Sequence, residues 1–457
     1  MRRQAIVNIG SLLRWEKEFS RAVLRLSVPV SIQSLIVALM HIVDNLMISE
    51  LGESYLAGVS QANRITFLMQ MTMFGLVSGA SVFTAQFWGA KDIKGIHETL
   101  GIGMLTGILG ALVFAIPSVL IPGKLIRLLL HEEPAIRAGV SYLRIVGLAY
   151  GVQAVSLTQS SVLRSTEQVK LPMVASIAAI LTNLLFNYLL IYGKFGFPRL
   201  EAAGAALATL LGACLELAIL LIVGYGKKLP NAAPLRALRF TRARAVAYFK
   251  VVLPTTLNEC LWGLGMVLYS VAYGLMGAGT VAAISIYDNI HQLASVVLRG
   301  ATNACAVMVG MQVGAGHGDE AQKTAGRMLA GGAVIGVVIG TLVMLSSSFL
   351  VSWFNVSPET AQSARNLVKM YGLTMFLPTM ATIVIVGILR AGGDVRFAMF
   401  NDILPVWLVG LPLVFLSGPL AGWPIQYVFL LTRIEELVKT ANGIRRIASR
   451  RWIRRLV

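Results

Sequence analysis

The sequence predicts an all-α polytopic membrane protein with twelve transmembrane helices in two parallel six-helix repeats. Hydrophobic residues make up 56% of the chain and charged residues only 13%, whereas a soluble domain has roughly 25% charged residues. Apolar runs of membrane-spanning length recur along the whole chain. Residues 29–95 also recur at 254–320, with a constant offset of 225 and no gap.

Twelve segments are predicted to be transmembrane helices, because a bilayer core of about 30 Å needs about 20 apolar residues per helix. We call them spans 1 to 12 in chain order. They lie near residues 26–50, 58–88, 100–122, 140–163, 171–193, 202–225, 251–276, 281–313, 328–353, 367–389, 397–418 and 422–442.

The internal repeat rests on proline and glycine pairs more than on shared hydrophobicity. Proline fixes a kink, and glycine permits a turn or a close helix approach. Because the offset covers six spans, an even number, both halves enter the membrane with the same orientation, as in two-lobed membrane carriers. The pairs are Pro29 with Pro254, Gly52 with Gly277, Gly75 with Gly300, and Gly89 with Gly314.

The net charge of +18 comes from basic clusters before span 1, between spans 6 and 7, and at the C-terminus. With twelve spans these clusters fall on one side of the membrane, which the positive-inside rule makes cytoplasmic. We expect an integral protein of the cytoplasmic membrane with both termini cytoplasmic, and this topology explains the charge better than nucleic-acid binding does. The clusters are Arg2, Arg3, Arg14, Lys17, Arg21 and Arg25; Lys227, Lys228, Arg236, Arg239, Arg242, Arg244 and Lys250; and Arg445, Arg446, Arg450, Arg451, Arg454 and Arg455.

The predicted organisation has two lobes around a central cleft, which would alternate access by rocking or by bending of helices. Cys214, Cys260 and Cys305 have no metal-like or disulfide-like spacing, so we expect no metal site. The N-terminus lacks a separate apolar region with an Ala-x-Ala-like site, so we expect no cleaved signal peptide. The five parts are a basic N-terminal segment (1–25), an N-lobe (26–225), a cytoplasmic linker (226–250), a C-lobe (251–442) and a basic tail (443–457).

The order of these motifs along a duplicated chain resembles the multidrug and toxic compound extrusion (MATE) family of the MOP flippase superfamily. The first half carries Pro29, Asp44, Leu51-Gly52, Leu56-Ala57-Gly58, Gln86 and Gly89-Ala90, echoed in the second half by Pro254, Met276-Gly277, Val281-Ala282-Ala283, Gln312 and Gly314-Ala315. A bacterial subgroup is further resembled by Asn258-Glu259, Trp262, Leu389–Asp394, Asn401-Asp402, Trp407, Glu435-Glu436 and Lys439. The resemblance implies a cation-coupled exporter with a V-shaped pair of lobes.

Ionisable side chains within the spans are the candidate functional residues, since each costs about 2.5–3.5 kcal/mol on insertion scales. Such a residue needs a partner, a watery cavity or a function. The set is His41, Asp44, Glu216, Glu259, Asp288, His291, Arg299 and Asp402.

Asp44, with His41 three residues earlier on the same face of span 1, is the first predicted ion-coupling residue. A carboxylate in a partly dry site can load and release a proton, and the resemblance aligns Asp44 with the helix-1 aspartate of proton-coupled members. Those members carry an Asn and then an Asp in helix 5, where this chain has Asn183 and Asn187. Asn187 cannot titrate. Two interpretations are therefore open: an ion site of the usual kind in the N-lobe, and a purely structural role for Asp44.

Glu259 and Asp402 complete the predicted ion-coupling set. Glu259 follows Pro254 by five residues, whereas the sodium-coupled branch has its glutamate eight residues after the proline, at the position of Trp262. Two roles for Glu259 are open. It could bind the coupling ion or a substrate cation, or it could form an ion pair with Arg299 or a loop base. Asp402 could also reach the cytoplasmic face by snorkelling, and we expect Arg299 to pair with Glu259 or Asp402.

Further side chains are predicted to line a substrate cavity. Asp288 and His291 have i, i+3 spacing, which fits a titrating pair or a solvated helix end. Aromatic and Met residues along span 7 suit planar organic cations, although ordinary helix packing gives the same stripe. The cavity set is His41, Asn183, Asn187, Trp262, Tyr269, Asp288, His291 and Arg299, with Met266 and Tyr273 on the Trp262 face.

The predicted function is a secondary active antiporter that exports cationic or amphipathic organic compounds in exchange for H⁺ or Na⁺. No enzyme or nucleotide-binding motif is present, so we expect no catalysis, no cofactor beyond the coupling ion, and a functional monomer. The main alternative is a lipid-linked oligosaccharide flippase. Its diphosphate would need several basic residues in the cavity, whereas Arg299 is the only base predicted deep in a span. A gradient-independent channel or a scaffold is a third possibility.

Overall fold

The computed structural model describes residues 16–234, 240–354 and 356–457, and this part of the chain is helical without strands. Arg2, Arg3, Arg14, Arg236 and Arg239 of the predicted basic clusters lie outside the described residues. The main helices are α1 (Lys17–Ser49), α2 (Glu53–Gly89), α3 (Ile93–Leu120), α4 (Glu133–Ser165), α5 (Lys170–Tyr192), α6 (Glu201–Gly226), α7 (Arg242–Leu275), α8 (Ala278–Ala294 and Val296–Gly314), α9 (Gly318–Leu345), α10 (Pro358–Thr374 and Phe376–Arg390), α11 (Val395–Leu420) and α12 (Ile425–Ala448). Two short helices, Pro122–Arg127 and Ser347–Ser352, follow α3 and α9.

The twelve helices coincide with the twelve predicted spans. Within the described residues, ten helices are long and apolar enough to cross a membrane, and the two parts of α10 together make an eleventh. Helix α12 is outside this set and carries Glu435, Glu436 and Lys439. The predicted all-α fold with twelve helices and two repeats is confirmed.

The chain forms two compact units whose boundaries lie inside helices. The N unit comprises Ile32–Cys260, and the C unit comprises Met1–Ser31 together with Leu261–Val457. Helix α1 therefore changes unit two residues after Pro29, and α7 changes unit six residues after Pro254. The lobes predicted from the sequence were bounded by loops, so they differ from these units by the first parts of α1 and α7.

The sequence repeat is also a structural repeat. In the N unit α2 packs on α3 and α4, α4 packs on α3 and α6, and α5 packs on α6; in the C unit the helices six places later form the same pairs. Gly52 and Gly277 precede α2 and α8 with nearly identical backbones, φ 112° and ψ 165° against φ 111° and ψ 165°. A side chain is strained at such a positive φ, which explains why glycine recurs at this offset.

Gly75 and Gly300 recur because each permits a close helix contact inside its own unit. A Cβ on Gly75 would lie 2.5 Å from the Thr256 Cα in the first part of α7, and a Cβ on Gly300 would lie 2.5 Å from the Ser27 carbonyl oxygen in the first part of α1. Thr255 Oγ1 also donates to the Gly75 carbonyl at 3.0 Å. The two glycines thus fix the proline-containing helices to α2 and α8.

Helices α8, α10 and α11 depart from regular α-helix. Helix α8 is interrupted at Ser295, α10 bends by 55° at Met375, and residues Ile383–Arg390 are π-helical. Helix α11 contains two further π-helical turns, Val406–Gly410 and Leu416–Leu420. Such turns release backbone groups from the regular ladder and often accompany functional sites.

The C-terminal tail packs onto the C unit. Trp452 is fully buried and donates to Gln322 Oε1 at 2.9 Å. Asp394, between α10 and α11 and itself buried, binds Arg446 Nε at 2.7 Å and Arg454 Nη2 at 3.1 Å. The tail is therefore held by one buried carboxylate and one buried indole.

Candidate functional site

Each unit contains a group of buried polar side chains, and the group in the N unit surrounds Asp44. Helices α1 and α5 bring the Asp44 carboxylate to the Asn187 amide, which donates to Asp44 Oδ1 at 2.6 Å. Asn187 also donates to Asn183 Oδ1 at 3.2 Å, and Asn183 donates to Thr209 Oγ1 of α6 at 3.2 Å. We call Asp44, Asn183, Asn187 and Thr209 the Asp44 group.

The Asp44 group contains an oxygen that its neighbours leave unsatisfied. Asn187 is only 1% exposed, and its buried Oδ1 has no hydrogen-bond partner among the described residues. Turning the Asn183 amide lets its nitrogen donate to Asp44 Oδ1 at 3.2 Å while its oxygen accepts from Thr209; amide orientation follows from the surrounding network. The group thus offers a carboxylate and amide oxygens, which can accept hydrogen bonds or bind a small hard cation.

Tyrosine hydroxyls line the next turns of the N unit. Tyr142 donates to Asn63 Oδ1 at 3.2 Å, and the Tyr150 hydroxyl lies 2.8 Å from Thr66 Oγ1. The C unit repeats the second contact, because His291, 225 residues after Thr66, has its Nδ1 2.9 Å from the Tyr371 hydroxyl. His291 is thereby bound to α10, and Asp288 is exposed on α8. The titrating pair and the solvated helix end both stay predictions.

Three other predicted residues of spans 1 and 7 are His41, Glu259 and Trp262. The side chain of His41 lies outside what the structure describes. Glu259 is 7% exposed, belongs to the N unit and has a polar or electrostatic partner. Trp262 is half-buried in the part of α7 that belongs to the C unit.

The polar group of the C unit is centred on Lys439, which is 2% exposed. Its ammonium lies 3.2 Å from Asp402 Oδ1 of α11, and 3.6 Å and 3.8 Å from the carboxylates of Glu436 and Glu435 one turn earlier on α12. We call Lys439 and these three acids the lysine cage. The sequence motif had placed these residues in order but had not shown that one lysine binds all three carboxylates.

Helices α10 and α7 also bind the lysine cage. Arg390 Nη2 lies 4.0 Å from Asp402 Oδ2, and the Tyr269 hydroxyl donates to Glu435 Oε2 at 2.6 Å. Tyr269 is 225 residues after Asp44 and so occupies the equivalent place in the repeat. Asp44 and Tyr269 are therefore equivalent polar positions of α1 and α7, each bonded to a later helix of its unit.

Arg299 differs from its expected role. Its guanidinium is exposed and donates to the Gln292 carbonyl at 3.0 Å, beside the interruption of α8 at Ser295. Asp402 lies instead against Lys439 and Arg390. The contact of Arg299 with the Gln292 carbonyl could not be predicted from the sequence, because the interruption of α8 beside it was not predicted.

Comparison with known proteins identifies the relatives of this chain. A family model described as MatE matches residues 29–189 and 254–416, which are the two repeats. The chain is 24% identical over 443 residues to the uncharacterized transporter YisQ of Bacillus subtilis, covering 96% of each chain. It is 26% identical over 418 residues to the multidrug resistance protein PmpM of Pseudomonas aeruginosa, covering 88% of this chain and 84% of PmpM.

Solved structures share the fold. A MATE transporter crystallised with the ligand MaL6 has a TM-score of 0.84 at 18% identity, and the match covers 96% of this chain and 98% of that one. A MOP superfamily transporter from Pyrococcus furiosus, described as having a binding pocket of reversed polarity, has a TM-score of 0.84 at 17% identity with the same coverage.

Proposed function

The protein belongs to the MatE family of membrane transporters, and we propose that it is a secondary active antiporter exporting cationic or amphipathic organic compounds in exchange for H⁺ or Na⁺. The name of PmpM, a multidrug resistance protein, supports organic drugs as the substrate class. We further propose that the antiporter acts as a monomer in the cytoplasmic membrane, with both termini cytoplasmic.

The Asp44 group is the observation that supports ion coupling most directly. Asp44 combines a half-buried carboxylate with a hydrogen bond from the buried Asn187 amide, and a charge in such surroundings favours uptake of a proton or a small cation. An ionisable side chain within a membrane span commonly marks an ion pathway, which fits a site that is filled and emptied during transport.

The proline of α1 supports alternating access. Pro29 removes a backbone donor in the interior of the helix, which permits a bend there. Asp44 lies about four turns beyond Pro29, so a bend moves the Asp44 carboxylate with the outer part of α1. Exposure of the Asp44 group to one side of the membrane and then the other would follow from such bending.

The lipid flippase alternative would require basic side chains that face a diphosphate. Arg390 and Lys439 are buried bases of the C unit that the sequence placed in motifs but not in the predicted cavity, and both lie against Asp402. Because carboxylates balance these bases, the structure favours a cationic substrate over an anionic one.

Efflux from proteoliposomes tests the proposed function. A fluorescent organic cation is loaded, and its release is followed under an imposed pH gradient, an imposed Na⁺ gradient, or neither. We expect uphill movement under one gradient and none in protein-free vesicles. Equal tracer equilibration with and without gradients would indicate a channel, and movement of a labelled polyprenyl lipid instead of the cation would indicate a flippase; either result contradicts the proposal.

A further inference from the structure

The lysine cage differs from an ordinary helical ion pair in its burial and its third carboxylate. Glu435 and Glu436 precede Lys439 by one turn, as surface pairs on helices commonly do, but Asp402 comes from another helix. Lys439 and Glu435 are 2% and 3% exposed and Asp402 is 9% exposed. A charge removed from water at such burial is stable only when its surroundings compensate it.

The distances within the lysine cage show how it holds a cation. The Lys439 ammonium lies within hydrogen-bond distance of Asp402 Oδ1, at 3.2 Å. The Glu436 and Glu435 carboxylates, at 3.6 and 3.8 Å, add ion-pair attraction without a direct hydrogen bond. Tyr269 donates to Glu435 and Arg390 lies against Asp402, so the outer oxygens are positioned from α7 and α10. Asn401 of α11 donates to the Lys439 carbonyl at 2.9 Å, which fixes the lysine backbone beside the cage.

We propose that the lysine cage is a binding site for a primary ammonium group that is permanently filled by Lys439. Asp402, Glu435 and Glu436 are therefore neutralised by a tethered cation, and the lysine cage takes up no exchangeable coupling ion. This inference rests on the proposed antiport function and narrows it, because Asp402 then leaves the ion-coupling set and Asp44 and Glu259 remain, both in the N unit.

Chemical complementation of Lys439→Ala tests the inference without any transport measurement. The truncation leaves the three carboxylates facing an empty space of lysine shape. Thermal unfolding of the full-length protein in detergent is recorded with ethylammonium chloride and with tetramethylammonium chloride at equal ionic strength. Ethylammonium has three N–H donors and fits the space, whereas tetramethylammonium has none.

We expect Lys439→Ala to unfold at a lower temperature than the wild type and to regain most of the loss with ethylammonium only. Lys369→Ala, the same change at an exposed lysine of α10, should respond to neither salt, as should the wild type. Equal effects of both salts on Lys439→Ala, or an equal response of the wild type, would overturn the proposal.

A second measurement keeps the inference testable if Lys439→Ala does not fold. Binding of radioactive Na⁺ is measured on the Asp44→Asn/Glu259→Gln double variant, in which the lysine cage is intact. We expect no saturable Na⁺ binding. Saturable binding that disappears on adding Asp402→Asn would show an exchangeable ion in the C unit and refute the tethered cation. Neither readout depends on transport, so a failed antiport assay and a failed cage assay are distinguishable.

Discussion

The Asp44 carboxylate is held by one strong hydrogen bond from Asn187, at 2.6 Å. We predict that Asp44→Asn reduces gradient-driven export to the rate of protein-free vesicles, because the variant keeps the side-chain shape but loses the charge that binds the coupling ion. The fold should persist, since an amide oxygen can accept the same bond. Glu53→Gln, the same change at an exposed glutamate of α2, should export normally; loss of export in both variants would contradict a specific role for Asp44.

Glu259 is the second acidic residue of the N unit that we assign to transport. We predict that Glu259→Gln also abolishes uphill export while leaving the unfolding temperature close to that of the wild type. The measurement is efflux in proteoliposomes alongside thermal unfolding in detergent. If export continues at the wild-type rate, Glu259 has only a structural ion pair and the coupling ion depends on Asp44 alone.

Sequence reasoning named three members of the Asp44 group, missed Thr209, and could not place the partners of the C unit. Asp44, Asn183 and Asn187 followed from span spacing and family resemblance. The pairing of Asp402 with Lys439 could not, because it depends on which faces of α11 and α12 meet. Glu435, Glu436 and Lys439 did carry a signal, since three charges within five residues are unusual in an apolar helix.

Among the helices, the positive φ of Gly52 and Gly277 gives a test of the repeat. A Cβ at either position would meet nothing within 4 Å, so substitution costs backbone strain and not a clash. We predict that Gly52→Ala and Gly277→Ala each lower the free energy of unfolding by about 1–3 kcal/mol, and by similar amounts. Gly274→Ala, at an open helical position, should be neutral or stabilising; equal unfolding temperatures for all three variants would contradict this explanation.

The tail of the C unit depends on Asp394, which is 1% exposed and binds Arg446 and Arg454. We predict that Asp394→Asn lowers the free energy of unfolding by about 3–5 kcal/mol, as breaking a buried ion pair does. The part of this loss that comes from Arg454 is smaller, because water solvates that exposed side chain. Asp319→Asn, which removes an exposed pair with Arg450, should cost about 0–1 kcal/mol. Chemical unfolding in detergent compares the two variants, and equal losses would show that the tail does not rely on Asp394.

Helix positions were predictable to within a few residues at many ends, while their irregularities were not. Prolines marked the interiors of α1 and α7, and the apolar runs marked each span. The interruption at Ser295 has no proline within a turn of the break. Pro378 follows the bend at Met375 by three residues; it cannot donate to the Thr374 carbonyl and so weakens the helix at that point. Hydropathy alone marks neither irregularity.

For the whole molecule, duplication was the feature most accessible from the sequence. The offset of 225 predicted two equivalent sets of helices, and matching helix neighbours and glycine conformations confirm it. The exchange of the first parts of α1 and α7 between the units was not predicted, because hydropathy marks where a helix lies in the chain and not which bundle it joins. The two units nevertheless carry different charge chemistry, with a carboxylate and amides in one and a lysine cage in the other.

Ion movement driven by substrate alone measures coupling most directly. Proteoliposomes receive only an organic-cation gradient, and internal pH and Na⁺ are recorded together with the substrate, for the wild type and for Asp44→Asn. We predict that substrate flow in the wild type drives one ion in the opposite direction, and that Asp44→Asn shows neither flow. Substrate movement without any ion movement, or coupled exchange that survives Asp44→Asn, would contradict antiport through the Asp44 group.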